Sequence, residues 1–80
     1  MPLAFTSKQG QYLAFIYLYT KIHRRPPAEL DMQKYFQVTP PSVQMILTLE
    51  SRELIERTPG QGRSLKVLVP PDQLPSLGED

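Results

Sequence analysis

The 80-residue chain contains no cysteine, so neither a disulfide nor a thiolate metal site can staple it, and packing alone must hold the fold. It has one histidine, His23, too few for most metal sites. Long apolar runs are missing too: nothing approaches the roughly 20 residues a membrane span requires. The opening "MPLAFTSKQG" lacks the basic flank, apolar stretch and cleavage site of a secretory signal. These absences predict a soluble, cytoplasmic protein. At this length there is room for one domain with a small core, because folding buries only about 60% of the surface of so short a chain.

Net charge is also scarce, at +1, and by itself names no partner. Its distribution says more. All nine Lys and Arg lie at or before Lys66, whereas Asp72, Glu79 and Asp80 sit in the tail, which leaves residues 1–69 with a net of +4. That balance suits a polyanion, although ordinary domains share it.

Patterns that carry covalent chemistry are absent as well. His23 lies beside an apolar stripe and among basic neighbours, which suits a packed or solvated imidazole. Glu29 and Asp31 are accounted for by a helix start. "GQG" has no lysine placed to follow it and belongs to a turn. No catalytic residue, metal ligand or cofactor is expected, and the chain reads as a non-enzyme.

What is present is helical periodicity broken by turn chemistry. "TSKQ" at Thr6–Gln9 fits a capping box. Tyr12, Phe15, Ile16, Tyr19 and Ile22 then recur at helical spacing until "HRRPP" stops the helix. A second, shorter helix is predicted from Ala28, with Pro27 suited to its amino-terminal position and Met32, Tyr35 and Phe36 on its apolar face. "QVTPP" breaks it, with Val38 as a buried plug, and so short a connector forces a helix-turn-helix crossing.

The third helix is predicted from about Pro41 to Arg52. At 100° per residue, Val43, Ile46 and Leu49 face one way and Gln44, Thr48 and Ser51 the other, with Arg52 at the edge and Met45 and Leu47 flanking. "LIERT" and "RSLKVLV" read as two strands, and "TPGQG" between them offers Pro59 and Gly60 to the middle of a type II turn. The expected fold is mainly α with a small β-hairpin, a three-helix winged helix-turn-helix over residues 1–69, followed by a proline-rich tail or linker at 70–80.

The joint order of "TSKQ", "RRPPAELDMQKYF", "VTPPSV", "LESRELIER" and "GQGRSLKVL" resembles the amino-terminal DNA-binding domain of the LexA repressor family, over about Leu3 to Val69. Two positions where that family commonly carries glycine hold Gln37 and Glu53 here. The resemblance implies a bacterial transcription regulator that reads operator DNA with its third helix, usually as a dimer. Damage-triggered self-cleavage belongs in that family to a separate carboxy-terminal domain and is not inferred for these residues.

The residues themselves suggest how such a helix would work. Gln44 can pair at two points with adenine, Thr48 can offer its methyl to thymine, and Ser51 and Arg52 extend the row of base contacts. Thr39 and Ser42 at the helix start, Arg24 and Arg25 after the first helix, and Arg57, Arg63 and Lys66 on the wing are the expected phosphate contacts. Double-stranded DNA is thus the expected partner, with a homodimer possible because a single groove contact gives little specificity. The alternative is a protein-interaction module on the same scaffold, docking through Met45, Leu47 and exposed tyrosines.

Overall fold

A computed structural model describes residues 5–37, 41–58, 60 and 64–78, with all their side chains except those of 29 and 41–43. Helix α1 spans Ser7–His23 and starts on the expected capping box: the Gln9 amide donates to Thr6 Oγ1 at 3.1 Å, and the Thr6 amide donates to Gln9 Oε1 at 2.9 Å. Both otherwise orphaned donors of the first turn are thereby satisfied. The helix stops at Arg24, whose left-handed backbone (φ 60°) lets its amide donate to the Thr20 carbonyl at 2.8 Å.

Tyr12, Leu13, Ala14, Phe15 and Ile16 are buried in succession, a wider band than the single stripe expected. The cause is tertiary: α1 is covered on more than one side, by the hairpin and by the carboxy-terminal segment. The stripe also outruns the core. Tyr19 is half-buried, and one turn later Ile22 is 73% exposed, contrary to its expected burial.

Helix α2, Glu29–Phe36, begins one residue later than expected, with Ala28 at the cap. Alanine has no acceptor to offer, so only the reciprocal bond forms, from the Ala28 amide to Asp31 Oδ2 at 2.8 Å. Pro27, expected at the amino terminus of this helix, lies just before its cap and is fully buried. Met32 is buried, and Phe36 stacks on Tyr12 with ring centroids 4.2 Å apart. Tyr35 packs its ring at a tilt against Phe15, with centroids 4.8 Å apart, but remains 46% exposed. Gln37 ends the helix at φ 56°. Val38 lies outside the described residues.

Helix α3, Pro41–Ser51, starts on the expected proline and packs on α2. It ends one residue short of Arg52, in a Schellman motif. The Leu54 amide donates to the Leu49 carbonyl at 2.9 Å and the Glu53 amide to the Glu50 carbonyl at 3.0 Å, with Glu53 at φ 61°. Leu49 and Leu54, which flank this reversal, are both buried, as the hydrophobic contact of the motif requires.

The exit leads into strand β1, Ile55–Glu56, antiparallel to β2, Lys66–Val67, with Ile55 opposite Val67 and Glu56 opposite Lys66. Both strands are shorter than the expected segments "LIERT" and "RSLKVLV". Outside this ladder the Leu68 amide still donates to the Leu54 carbonyl at 2.9 Å. Further out a side chain takes over: Ser64 Oγ accepts the Thr58 amide at 2.9 Å and donates to the Thr58 carbonyl. Gly60 has φ 77°, as the third place of a type II turn demands, while Pro59 lies outside the described residues. Three helices and a two-stranded hairpin thus form a small, mainly helical helix-turn-helix with a wing.

The segment after β2 differs from the extended or frayed tail expected. It turns through a short 3-10 helix, here η1, at Pro71–Gln73, and Leu74 and Leu77 pack against the core. Gln11 of α1 ties it down, donating from Nε2 to the Ser76 carbonyl at 3.0 Å and accepting the Gly78 amide at 2.7 Å. Two leucines spaced among prolines show no periodicity, which is why sequence pattern alone undervalues them.

Candidate nucleic-acid interface

The outer face of α3 is built by what the inner face buries. Ile46 and Leu49 are 1% and 0% exposed, so residues on the opposite side of the same turns must meet solvent. Gln44, Thr48 and Ser51 do so, and Arg52 follows them, exposed, just past the helix end with its amide on the Thr48 carbonyl. The flanking residues divide. Met45 is half-buried and packs on the core, whereas Leu47 is 39% exposed beside the polar row. Val43 and Ser42 lie in the helix with side chains outside the described set, and Thr39 and Arg63 are outside it altogether.

Basic residues gather elsewhere on the surface. Arg24 and Arg25 are exposed at the end of α1. One turn earlier, Lys21 shares with Lys66 of β2 a groove of about 530 Å³, with Tyr17 in its wall. Lys21 Nζ stands 5.9 Å from the centre of the Tyr17 ring, within cation–π range. Lys21 was not among the expected contacts, because only the packing of α1 against β2 brings it to the wing. His23 packs at a tilt against Tyr19, with ring centres 4.2 Å apart.

Two of the expected phosphate contacts have acidic neighbours. Arg57 Nε donates to Glu50 Oε1 at 3.1 Å, and Lys66 lies 3.9 Å from Glu56 across the strand pair. The second pair is largely solvated, and surface pairs of this kind contribute only about 0–1 kcal/mol. Glu50 is half-buried on α3, whereas Glu53 is exposed in the turn beyond the helix.

No protein-family model and no curated protein matches the chain.

Among the described residues no group of three or more His, Asp or Glu comes together, and no described helix is long and apolar enough to cross a membrane. Glutamine, threonine, serine and arginine in one row supply donors, acceptors and a methyl group, the set that base edges in a major groove can meet.

Proposed function

We propose that the chain binds double-stranded DNA sequence-specifically, as a LexA-like bacterial transcriptional regulator working in the cytoplasm, with α3 in the major groove and the wing on the backbone. The observation that carries this reading is the exposed row Gln44, Thr48, Ser51 and Arg52, which contains no acid, while Glu50 on the same helix is held aside by Arg57. Arg24, Arg25, Arg57, Arg63 and Lys66 supply phosphate contacts, together with Thr39 and Ser42 at the start of α3. A homodimer on two half-sites gives the specificity that one short helix lacks.

Selection from random duplexes followed by salt titration tests the proposal. Five neutralised phosphates, one for each of these cations, give log K a slope of about −4.5 against log salt, roughly a five-hundredfold loss between 50 and 200 mM. An absence of any selected sequence together with a flat salt response would overturn it.

A protein-interaction role draws support from Leu47, 39% exposed next to the polar row. Under that reading a partner complex survives high salt and tolerates alanine at Arg57, Arg63 and Lys66.

A further inference from the structure

The contact between Arg57 and Glu50 is made through one donor, Nε, to Glu50 Oε1 at 3.1 Å, and it is the one polar contact of the Arg57 side chain among the described residues. A guanidinium has five N–H donors in a rigid plane. Anchoring it at Nε leaves the four N–H groups on the two Nη atoms, the fork that matches a phosphate at two points.

The anchor is itself well fixed. Glu50 is the penultimate residue of α3, and its own carbonyl accepts the Glu53 amide in the helix reversal. Leu54 and Ile55, 6% and 1% exposed, pin the start of β1, and Arg57 follows two residues later. The two side chains remain about one third exposed, so the pair sits at the rim where a duplex backbone can reach it. Lys66 and Glu56 lack this arrangement: at 3.9 Å, and more than half exposed, they form no hydrogen bond that orients either group.

We propose that Glu50 is a positioning residue for DNA: it holds the Arg57 guanidinium by Nε so that its Nη edge is presented to a backbone phosphate, bridging the recognition helix and the wing. This rests on the DNA-binding reading above. Without the anchor, Arg57 must be ordered at the moment of binding, which for one flexible side chain costs about 0.5–1.5 kcal/mol, a factor of about 2–12 in affinity. Glu50 also carries a negative charge toward DNA, so its removal has two opposed effects. The sign of the net change separates an anchor from a mere repulsive charge.

The test is a set of binding titrations on a labelled random-sequence duplex at low salt, with thermal melts of each protein alongside. Glu50→Ala is expected to weaken binding severalfold, and Glu50→Gln, whose amide oxygen can still accept the Nε–H, to restore it. In an Arg57→Ala background, Glu50→Ala is expected to strengthen binding slightly, because only the repulsion is left to remove. Strengthening in both backgrounds would make Glu50 a simple repulsive charge and overturn the proposal; equal weakening in both would reduce it to support of the fold and do the same. Either result leaves the DNA-binding reading standing, whereas failure of the unaltered chain to bind the duplex removes both.

Discussion

The Gly78 amide donates to Gln11 Oε1 at 2.7 Å across 67 residues of sequence, and the same Gln11 amide group donates back to the Ser76 carbonyl. One side chain thus clasps the backbone of the carboxy-terminal segment from both sides. Both bonds are exposed, so Gln11→Ala is expected to cost only about 1 kcal/mol. Deleting residues 70–80 also strips Leu74 and Leu77 from the core and is expected to cost about 2–4 kcal/mol. Urea unfolding monitored by circular dichroism checks both, and equal stability of the shortened and full chains would contradict the docked segment.

Glu53 and Gln37 both hold left-handed backbone, at φ 61° and 56°. These are the places where the resemblance to LexA-type domains expects glycine, and a side chain there carries a steric penalty that glycine avoids. Glu53→Gly and Gln37→Gly are each expected to raise stability by about 0.5–1 kcal/mol, the Schellman hydrogen bonds of the first remaining in place. A lower urea midpoint for both would show that the residues present fit that geometry better than glycine.

The two faces of α3 should separate stability from binding. Leu49→Ala or Ile46→Ala empties fully buried volume and is expected to cost about 2–5 kcal/mol. Gln44→Ala and Thr48→Ala, on the exposed face, are expected to change stability by less than about 0.5 kcal/mol. Their cost should fall on sequence discrimination, about 1–3 kcal/mol against the best selected duplex, with affinity for random DNA nearly unchanged. Melting curves paired with competition binding distinguish the two kinds of loss.

Burial of Tyr12 pushes its phenol above its ordinary value of about 10. The folded chain then keeps this proton at pH values where the unfolded chain has lost it, so the unfolded state binds fewer protons and stability falls as pH rises. The loss begins near pH 10 and continues up to the folded-state value, with a slope no steeper than about 1.4 kcal/mol per pH unit for one group. Urea titrations from pH 8 to about 11 should show this decline, and Tyr12→Phe should flatten it relative to the unaltered chain.

Local rules carried much of the fold. The capping box at Thr6 and Gln9, the proline at the start of α3, the glycine of the wing turn and the burial of Ile46 and Leu49 opposite Gln44, Thr48 and Ser51 all follow from a few neighbouring residues. Hydrogen bonds over three or four residues and a 100° repeat need no knowledge of the rest of the chain. The outward row of α3 was legible for the same reason, since a side chain opposite a buried stripe has nowhere else to point.

Tertiary structure decided what depends on distant partners. Whether Ile22 finds cover is set by how far the core reaches along α1, and the end of the helix outruns it. Lys21 joins Lys66 because α1 packs on β2, and Arg57 meets Glu50 because a Schellman reversal folds the wing back along α3. The carboxy-terminal segment is held by two leucines and one glutamine more than 60 residues away, contacts that leave no periodic trace. The sequence by itself determined which helices form and which face of each is apolar, because those depend on near neighbours; which surface residues come together depended on closing long loops, and only the packed core sets that geometry.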